Sequence, residues 1–363
     1  MIIFDKRILA HFDFVQLIFI IPILVLSHIL ISEANEILAF KQYIYYTLGF
    51  GVFLFFFIIP FRKLEWIIPF FYWFGIVLLI SVDLFGVSKL GAKRWLEIPL
   101  INFTIQPSEI IKPAFILMLA YMVKKNPPPS NGYDLKSFLK FSFIILLPFI
   151  LILKEPDLGT AMILLLGGFG TLFIIHVNKK IWISLFLAMS VASPVMYQSL
   201  HDYQKKRITE FLSEESSYHV KQSIIAISNG GMSGKPKDEA TQTHFKFLPI
   251  ATSDFIFAYN SERFGFMGNL FLMVLYLCLI IHLITLNYQL KEDYFTRVVA
   301  TSIGVLIFIY AGVNISMTIG LAPVVGVPLP FFSYGGSSFI TFMCLFGMLQ
   351  NLLTFKFKDS YKL

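Results

Sequence analysis

Apolar runs of membrane-spanning length recur along the whole chain, and they leave few folds open. A helix needs about 20 predominantly apolar residues to cross the hydrocarbon core of a bilayer. Such runs lie near 14–32, 42–61, 65–83, 108–123, 138–153, 158–177, 181–199, 264–286, 298–319 and 336–354. Within lipid every backbone N–H and C=O must find its partner inside the protein, so spanning elements are helices or closed barrels. The short alternating segments of a barrel, roughly ten residues each, are absent. The expected fold is an all-α polytopic membrane protein of about ten transmembrane helices. It forms a single domain over 1–363, with one long loop, about 201–263, between the seventh and eighth spans. Composition agrees, since 57% of the 363 residues are hydrophobic and only 14% are charged, beyond the usual make-up of a soluble domain. The first run is followed by further spans, so it reads as a retained helix and not a cleaved signal.

The two cysteines, Cys278 and Cys344, fall inside apolar runs and read as packing residues. The formal charge of +7 fits cytoplasmic loops and lipid phosphates, with no nucleic acid implied. Lys and Arg bias loops toward the cytoplasm. With Lys6 and Arg7 inside, the basic pairs Arg62-Lys63, Lys124-Lys125 and Lys179-Lys180 also fall inside, and an even number of spans returns the C-terminus to the same side. The long loop and the short segments around Lys93-Arg94 and Lys154 then lie outside. Basic residues there run against the insertion bias, and an anionic substrate on the outer leaflet is one reason to keep them.

Polar residues cluster at that face. Asp254 stands in Ser253-Asp254-Phe255-Ile256-Phe257-Ala258, where the long loop meets an apolar run. An acid where lipid meets water is costly, and its position suits a proton acceptor facing a lipid-borne substrate. Gln106-Pro107-Ser108-Glu109 opens the fourth run, with Pro107 suited to a first helical turn. Glu109 and Lys112, three residues apart, share a helix face. They fit a structural ion pair or a cavity for phosphate. Arg94 is a candidate cation, and Trp95 an interfacial anchor or a sugar-stacking platform. Asp157 in Lys154-Glu155-Pro156-Asp157-Leu158-Gly159-Thr160 reads as a helix cap. Arg207, Lys235 and Gln242 are candidates in the long loop. Its glycine run ends in Lys235-Pro236, so no nucleotide-binding P-loop is present. Pro323, Gly326, Pro328 and Pro330 break any helix before Ser333. Such backbone is tolerated at membrane depth only when buried in protein or lining a cavity, and Asn314 lies shortly before the break. Metalloprotease and serine-hydrolase signatures are absent.

Taken together, these motifs resemble the SEDS family of peptidoglycan polymerases, which includes RodA and FtsW. The resemblance runs from about Gly91 to Asn351. It rests on Gly91-Ala92-Lys93-Arg94-Trp95, Gln106-Pro107-Ser108-Glu109 with Lys112, Pro156-Asp157-Leu158-Gly159-Thr160, Gly230-Gly231 with Gly234-Lys235, Thr241-Gln242, Phe247-Leu248-Pro249, Asp254-Phe255-Ile256-Phe257-Ala258, and Pro328-Leu329-Pro330-Phe331 with Ser333-Tyr334-Gly335-Gly336. The short N-terminus and the total length are more similar to RodA than to FtsW.

The resemblance implies a ten-helix fold in the bacterial cytoplasmic (inner) membrane, with both termini cytoplasmic and the active site on the outer face. It implies polymerisation of lipid II into glycan during cell-wall elongation, with release of undecaprenyl pyrophosphate. Asp254 would be the catalytic base. Lys112, Glu109, Trp95, Arg94, Arg207, Lys235, Gln242, Asn314 and Ser333 would bind substrate. The implied partners are lipid II and its undecaprenyl-linked glycan, a class B penicillin-binding transpeptidase and the elongation machinery. No cofactor is required by the motifs, and a divalent cation stays open. Ile250 and Arg263 stand where the family usually carries acids, Ser253 where it has Thr and Glu155 where it has Gln. Asp254 is then the one family-matched acid in that stretch. A lipid-linked precursor flippase, a division-type FtsW polymerase and a scaffold for a partner synthase are the alternative readings.

Overall fold

The computed structural model describes residues 10–89, 92–98, 103–198, 205, 209, 211, 218–245, 247–248 and 250–358. Arg207 lies outside the described residues, as do Gly91 and Pro249 of the motifs above. The chain is a polytopic all-helical membrane protein. Its helices are α1 (Phe14–Ala34), α2 (Glu36–Ile58), α3 (Ile68–Phe85), α4 (Pro107–Lys125), α5 (Leu135–Lys154), α6 (Leu158–Ile174), α7 (Lys179–Gln198), α8 (Tyr218–Gly230), α9 (Ile256–Gln289), α10 (Tyr294–Thr318) and α11 (Gly336–Thr354), and a separate helical turn covers Thr241–His244. Among the described residues eight helices are long and apolar enough to cross a membrane. The helices α4 and α7, of 19 and 20 residues, occupy the other two expected runs.

Helix ends follow from local chemistry. Side-chain oxygens of Asp13, Asn35, Asp134, Asp157 and Asp293 accept from backbone N–H groups of the first turns of α1, α2, α5, α6 and α10. Those N–H groups have no partner within the helix. The cap expected at Asp157 is present, with Thr160 N donating at 3.2 Å.

α10 is the centre of the bundle. It packs against α4, α6, α8, α9 and α11, and its buried residues include Thr296, Thr301, Ser302, Asn314 and Thr318. α1 and α2 lie outside this centre, against α9 and α11 respectively. Their outward faces carry Ile18, Ile21, Phe40, Phe50 and Phe55, all exposed, as a lipid-facing surface requires. At the end of the bundle away from Asn314, Arg62 ties the α2–α3 connection to Asp293 at 2.5 Å and to the Leu352 carbonyl at 3.1 Å.

Two features were not legible beforehand. Between α3 and α4 the chain forms strands β1 (Val87–Lys89), β2 (Ala92–Ile98) and β3 (Phe103–Ile105), antiparallel in that order. Val87 pairs with Trp95, and Leu96 with Ile105. The alternation over Lys93–Ile98 is too short to stand out beside the apolar spans. Second, α9 starts ahead of the apolar run expected at 264–286 and is broken at Gly265, with φ 66° and ψ −164°. That conformation is essentially restricted to glycine. A Cβ on Gly265 would collide with the backbone at Gly234 and Met232, and one on Gly230 with the Ser261 carbonyl. Backbone therefore packs on backbone where the loop meets α9. Lys235 N donates to the Glu262 carbonyl at 2.9 Å, and Phe266 N to the Gly231 carbonyl at 2.8 Å.

The segment between α10 and α11 is irregular, as Pro323, Pro328 and Pro330 dictate. Several of its polar groups are satisfied by protein. Ser27 Oγ donates to the Phe332 carbonyl at 2.6 Å, and Tyr276 Oη donates to the Pro330 carbonyl. Val327, Leu329, Phe331 and Phe332 are buried. Gly265→Ala is expected to lose about 1–3 kcal/mol from backbone strain alone, with the clash adding to it. A lower unfolding temperature in detergent and faster proteolysis between Gly231 and Phe245 would report it.

Candidate active site

Asp254 lies two residues before α9, in a turn fixed from the far end of the chain. Three successive carbonyls of this turn each accept one hydrogen bond. Tyr334 N donates to Thr252 O at 2.8 Å, Ser333 Oγ to Ser253 O at 2.6 Å, and Asn314 Nδ2 to Asp254 O at 2.9 Å. Asn314 also donates to the Val327 carbonyl at 2.7 Å, and Ser333 Oγ accepts from Leu329 N at 2.7 Å. Asn314 and Ser333, expected as substrate-binding residues, meet this turn through the Asp254 and Ser253 carbonyls and not through the carboxylate. The carboxylate faces Gly326, where even a Cβ would stand 3.6 Å from Oδ2. Burial raises the Asp254 pKa above its ordinary value, while Ser253 and His219 oppose the shift. His219 lies on α8, its ring stacked on Phe255 with centroids 6.0 Å apart.

A second polar cluster sits one turn along α10. Tyr310 precedes Asn314 by four residues, hence by about 6 Å on the same face. Its hydroxyl accepts from Lys112 Nζ at 2.6 Å, and Lys112 also pairs with Glu109 Oε1 at 2.6 Å. Lys112 is 4% exposed, so its charge is spent inside the bundle on these partners. Glu109 Oε2 is buried with no hydrogen bond.

The third cluster surrounds the turn before α6. Arg94, on β2, donates to the carbonyls of Glu155 (3.2 Å) and Pro156 and lies 3.7 Å from the Asp157 carboxylate. Gln106 Nε2 reaches that carboxylate at 3.5 Å. Gly159 packs directly on the Val325 carbonyl, which joins this turn to the irregular segment. The β1–β2 register slips at Arg94, which is left between the Val87–Trp95 and Ser88–Lys93 pairs. The Glu155 carboxyl is buried with neither oxygen hydrogen-bonded. Burial pushes its pKa up to about 8, with Asp157 and Asp83 adding to the shift and Arg94 opposing it.

Lys235 and Gln242 belong elsewhere. Glu262 accepts from Gln242 N (2.9 Å), Thr243 N (3.0 Å) and Thr243 Oγ1 (2.8 Å), so it caps the Thr241–His244 turn. Arg263 forks onto Glu33 at 2.6 and 2.8 Å and donates to the Lys235 carbonyl. Sequence reasoning missed Tyr310, although its spacing from Asn314 was available. It also missed Glu33, for which the sequence carries no signal. Among the described residues no group of three or more His, Cys, Asp or Glu is arranged to hold a metal ion.

An apolar groove of about 300 Å³ runs between α2, α3, α4 and α11, lined by Val52, Phe56, Phe71, Ile110 and Ile340, with Gln106 and Glu109 as its polar margin.

Fold and site define a multi-pass helical membrane protein in which a carboxylate is fixed at one end of the bundle, beside buried charge and a greasy groove. The chain belongs to the FtsW/RodA/SpoVE family of cell cycle proteins, whose model matches residues 3–358. It is 57% identical over 358 residues to the peptidoglycan glycosyltransferase MrdB of Helicobacter pylori strain 26695, covering 98% of this chain and 94% of that protein. It is 37% identical over 302 residues to MrdB of Escherichia coli K12, covering 82% and 80%. A chain of a solved peptidoglycan synthase complex that coordinates polymerization and crosslinking shares the fold at TM-score 0.81 and 24% identity, covering 97% of this chain and 99% of that one. The rod shape determining protein RodA of Thermus thermophilus does so at TM-score 0.70 and 21% identity, covering 97% and 98%.

Removing one partner of a buried ion pair costs about 3–5 kcal/mol, while replacing both with neutral groups is often tolerated. Lys112→Met alone is therefore expected to lower the unfolding temperature sharply. The double variant Lys112→Met/Glu109→Gln should recover most of that loss, as a thermal melt in detergent would show.

Proposed function

We propose that the chain is a peptidoglycan glycosyltransferase that polymerises lipid II on the outer face of the bacterial cytoplasmic membrane, in the elongation role of RodA-like members. The observation that carries this reading is the clamp on the Thr252, Ser253 and Asp254 carbonyls, which fixes the backbone that carries a partly buried carboxylate beside Gly326. Positioning of this kind is what general-base chemistry needs.

In the reaction, the 4-hydroxyl oxygen of an acceptor lipid II forms a bond to the anomeric carbon of the growing chain. The bond from that carbon to undecaprenyl pyrophosphate breaks, and the electron pair leaves with the pyrophosphate. The hydroxyl proton passes to Asp254. Negative charge on the leaving group calls for fixed cations. Arg94 is the candidate nearest the surface, and the charge-balanced Lys112–Glu109–Tyr310 cluster stiffens the bundle behind it. Trp95, next to Arg94 on β2, would meet sugar or the membrane interface. The apolar groove beside Glu109 suits a polyprenyl tail. Lys235 and Gln242 act through the loop that frames the site, and Arg207 is a further candidate cation. Both termini face the cytoplasm in this arrangement. A class B penicillin-binding transpeptidase would crosslink the new strand.

The test is lipid II polymerisation by purified protein in vesicles, with neither ATP nor an ion gradient. Polymer formation supports the enzyme, and translocation of labelled lipid II without polymer overturns it in favour of a flippase. Asp254→Asn should lower the polymerisation rate by about 10²–10⁴-fold with an unchanged thermal melt. A scaffold would retain activity with its partner in that variant. Because burial raises the Asp254 pKa, the base is protonated at higher pH than an ordinary carboxylate. The acid limb of the rate profile should accordingly fall above the usual Asp range and vanish in Asp254→Asn.

A further inference from the structure

A cavity of about 450 Å³ lies against the turn that carries Asp254, with Ile250, Ala251 and Thr252 forming one wall. Its size is that of a small-ligand pocket. The opposite walls come from the α1–α2 corner, through Glu33, and from the start of α9, through Tyr259 and Arg263. Ile250 and Arg263, two of the residues that set this chain apart from the family pattern, both line it.

The lining is prearranged. Glu33 and Arg263 lock each other in a two-point fork, and Thr243 is fixed by Glu262 at 2.8 Å. Ile250 has φ 54° and leaves its side chain 54% exposed. An L residue in that conformation is uncommon, and for a β-branched one it is an outlier. The result is an apolar face, from Ile250 and Tyr259, set among oriented donors and acceptors.

This chemistry selects among the parts of a lipid-linked glycan. A polyprenyl tail would leave the charged fork without water. A pyrophosphate would have to take the Arg263 guanidinium from Glu33. A sugar ring, with apolar faces and an edge of hydroxyl and amide groups, matches both kinds of lining. With Glu33 and Arg263 neutralising each other, Lys237 is the remaining cationic side chain in the lining, which favours a saccharide bearing carboxylates on an attached peptide. We infer that this cavity holds a sugar–peptide unit of the growing strand, next to the reacting unit, and keeps the polymer bound between additions. The inference rests on the polymerase reading above.

Two full-length variants test it with purified protein in vesicles and lipid II: Leu38→Trp, which fills the cavity from α2, and Lys237→Glu, which reverses the rim charge on an exposed residue. The expected result is glycan severalfold shorter on a gel for both, with the initial rate of lipid II consumption near wild type. With lipid II whose stem-peptide carboxylates are amidated, Lys237→Glu should no longer shorten the product. Wild-type chain lengths in both variants would overturn the inference while leaving the polymerase reading intact. Should Leu38→Trp lose its thermal transition, Lys237→Glu alone decides. If wild-type protein consumes no lipid II, both readings fall.

Discussion

The grip on the three carbonyls of Thr252, Ser253 and Asp254 organises the rest of the molecule. An acid at the rim of a membrane protein has every reason to swing toward water. Here its backbone is bound before its side chain can move. The donors come from α10 and from the irregular segment after it, so the turn carrying Asp254 is positioned by residues some sixty to eighty places away in the chain. That segment is in turn bound through Phe332 and Pro330 to α1 and α9. Each irregular stretch satisfies the other, and neither could exist alone at the edge of a bilayer.

Around this point the protein separates two kinds of electrostatics. Lys112, Glu109 and Tyr310 form a closed group within the bundle, with the charge balanced internally. Arg94 lies nearer the surface and takes backbone carbonyls as most of its partners. Carbonyl dipoles leave a guanidinium its net charge, and the Asp157 carboxylate, at 3.7 Å, offsets only part of it. The first group therefore stiffens the site, and the second remains able to meet an anion.

Much of the fold was legible because lipid imposes a single solution on long apolar runs, and the ten runs all became helices. The pairing of Glu109 with Lys112 followed from helical spacing, and the cap at Asp157 from its residue type. The strands at 87–105 escaped because short alternation is swamped by apolar neighbours. The break at Gly265 escaped because a glycine in an apolar run does not announce a positive φ. Glu33 was invisible, since its partner Arg263 lies 230 residues away. Asn314 was expected to bind substrate; that it grips a backbone carbonyl is a fact of three-dimensional placement. Lys112 shows the reverse case, a residue singled out from the sequence whose charge the fold has already committed.

Asn314 and Tyr310 share one face of α10, and each anchors a different polar cluster. A helix places successive residues 100° apart, so it acts as a ruler marked only in whole turns. One residue inserted or deleted between them would swing one anchor toward the wrong neighbour while leaving the other in place. Drift in length is thus barred across this interval, even though both residues lie in an otherwise ordinary apolar span, and the distance between the Asp254 turn and the buried charge is a fixed unit.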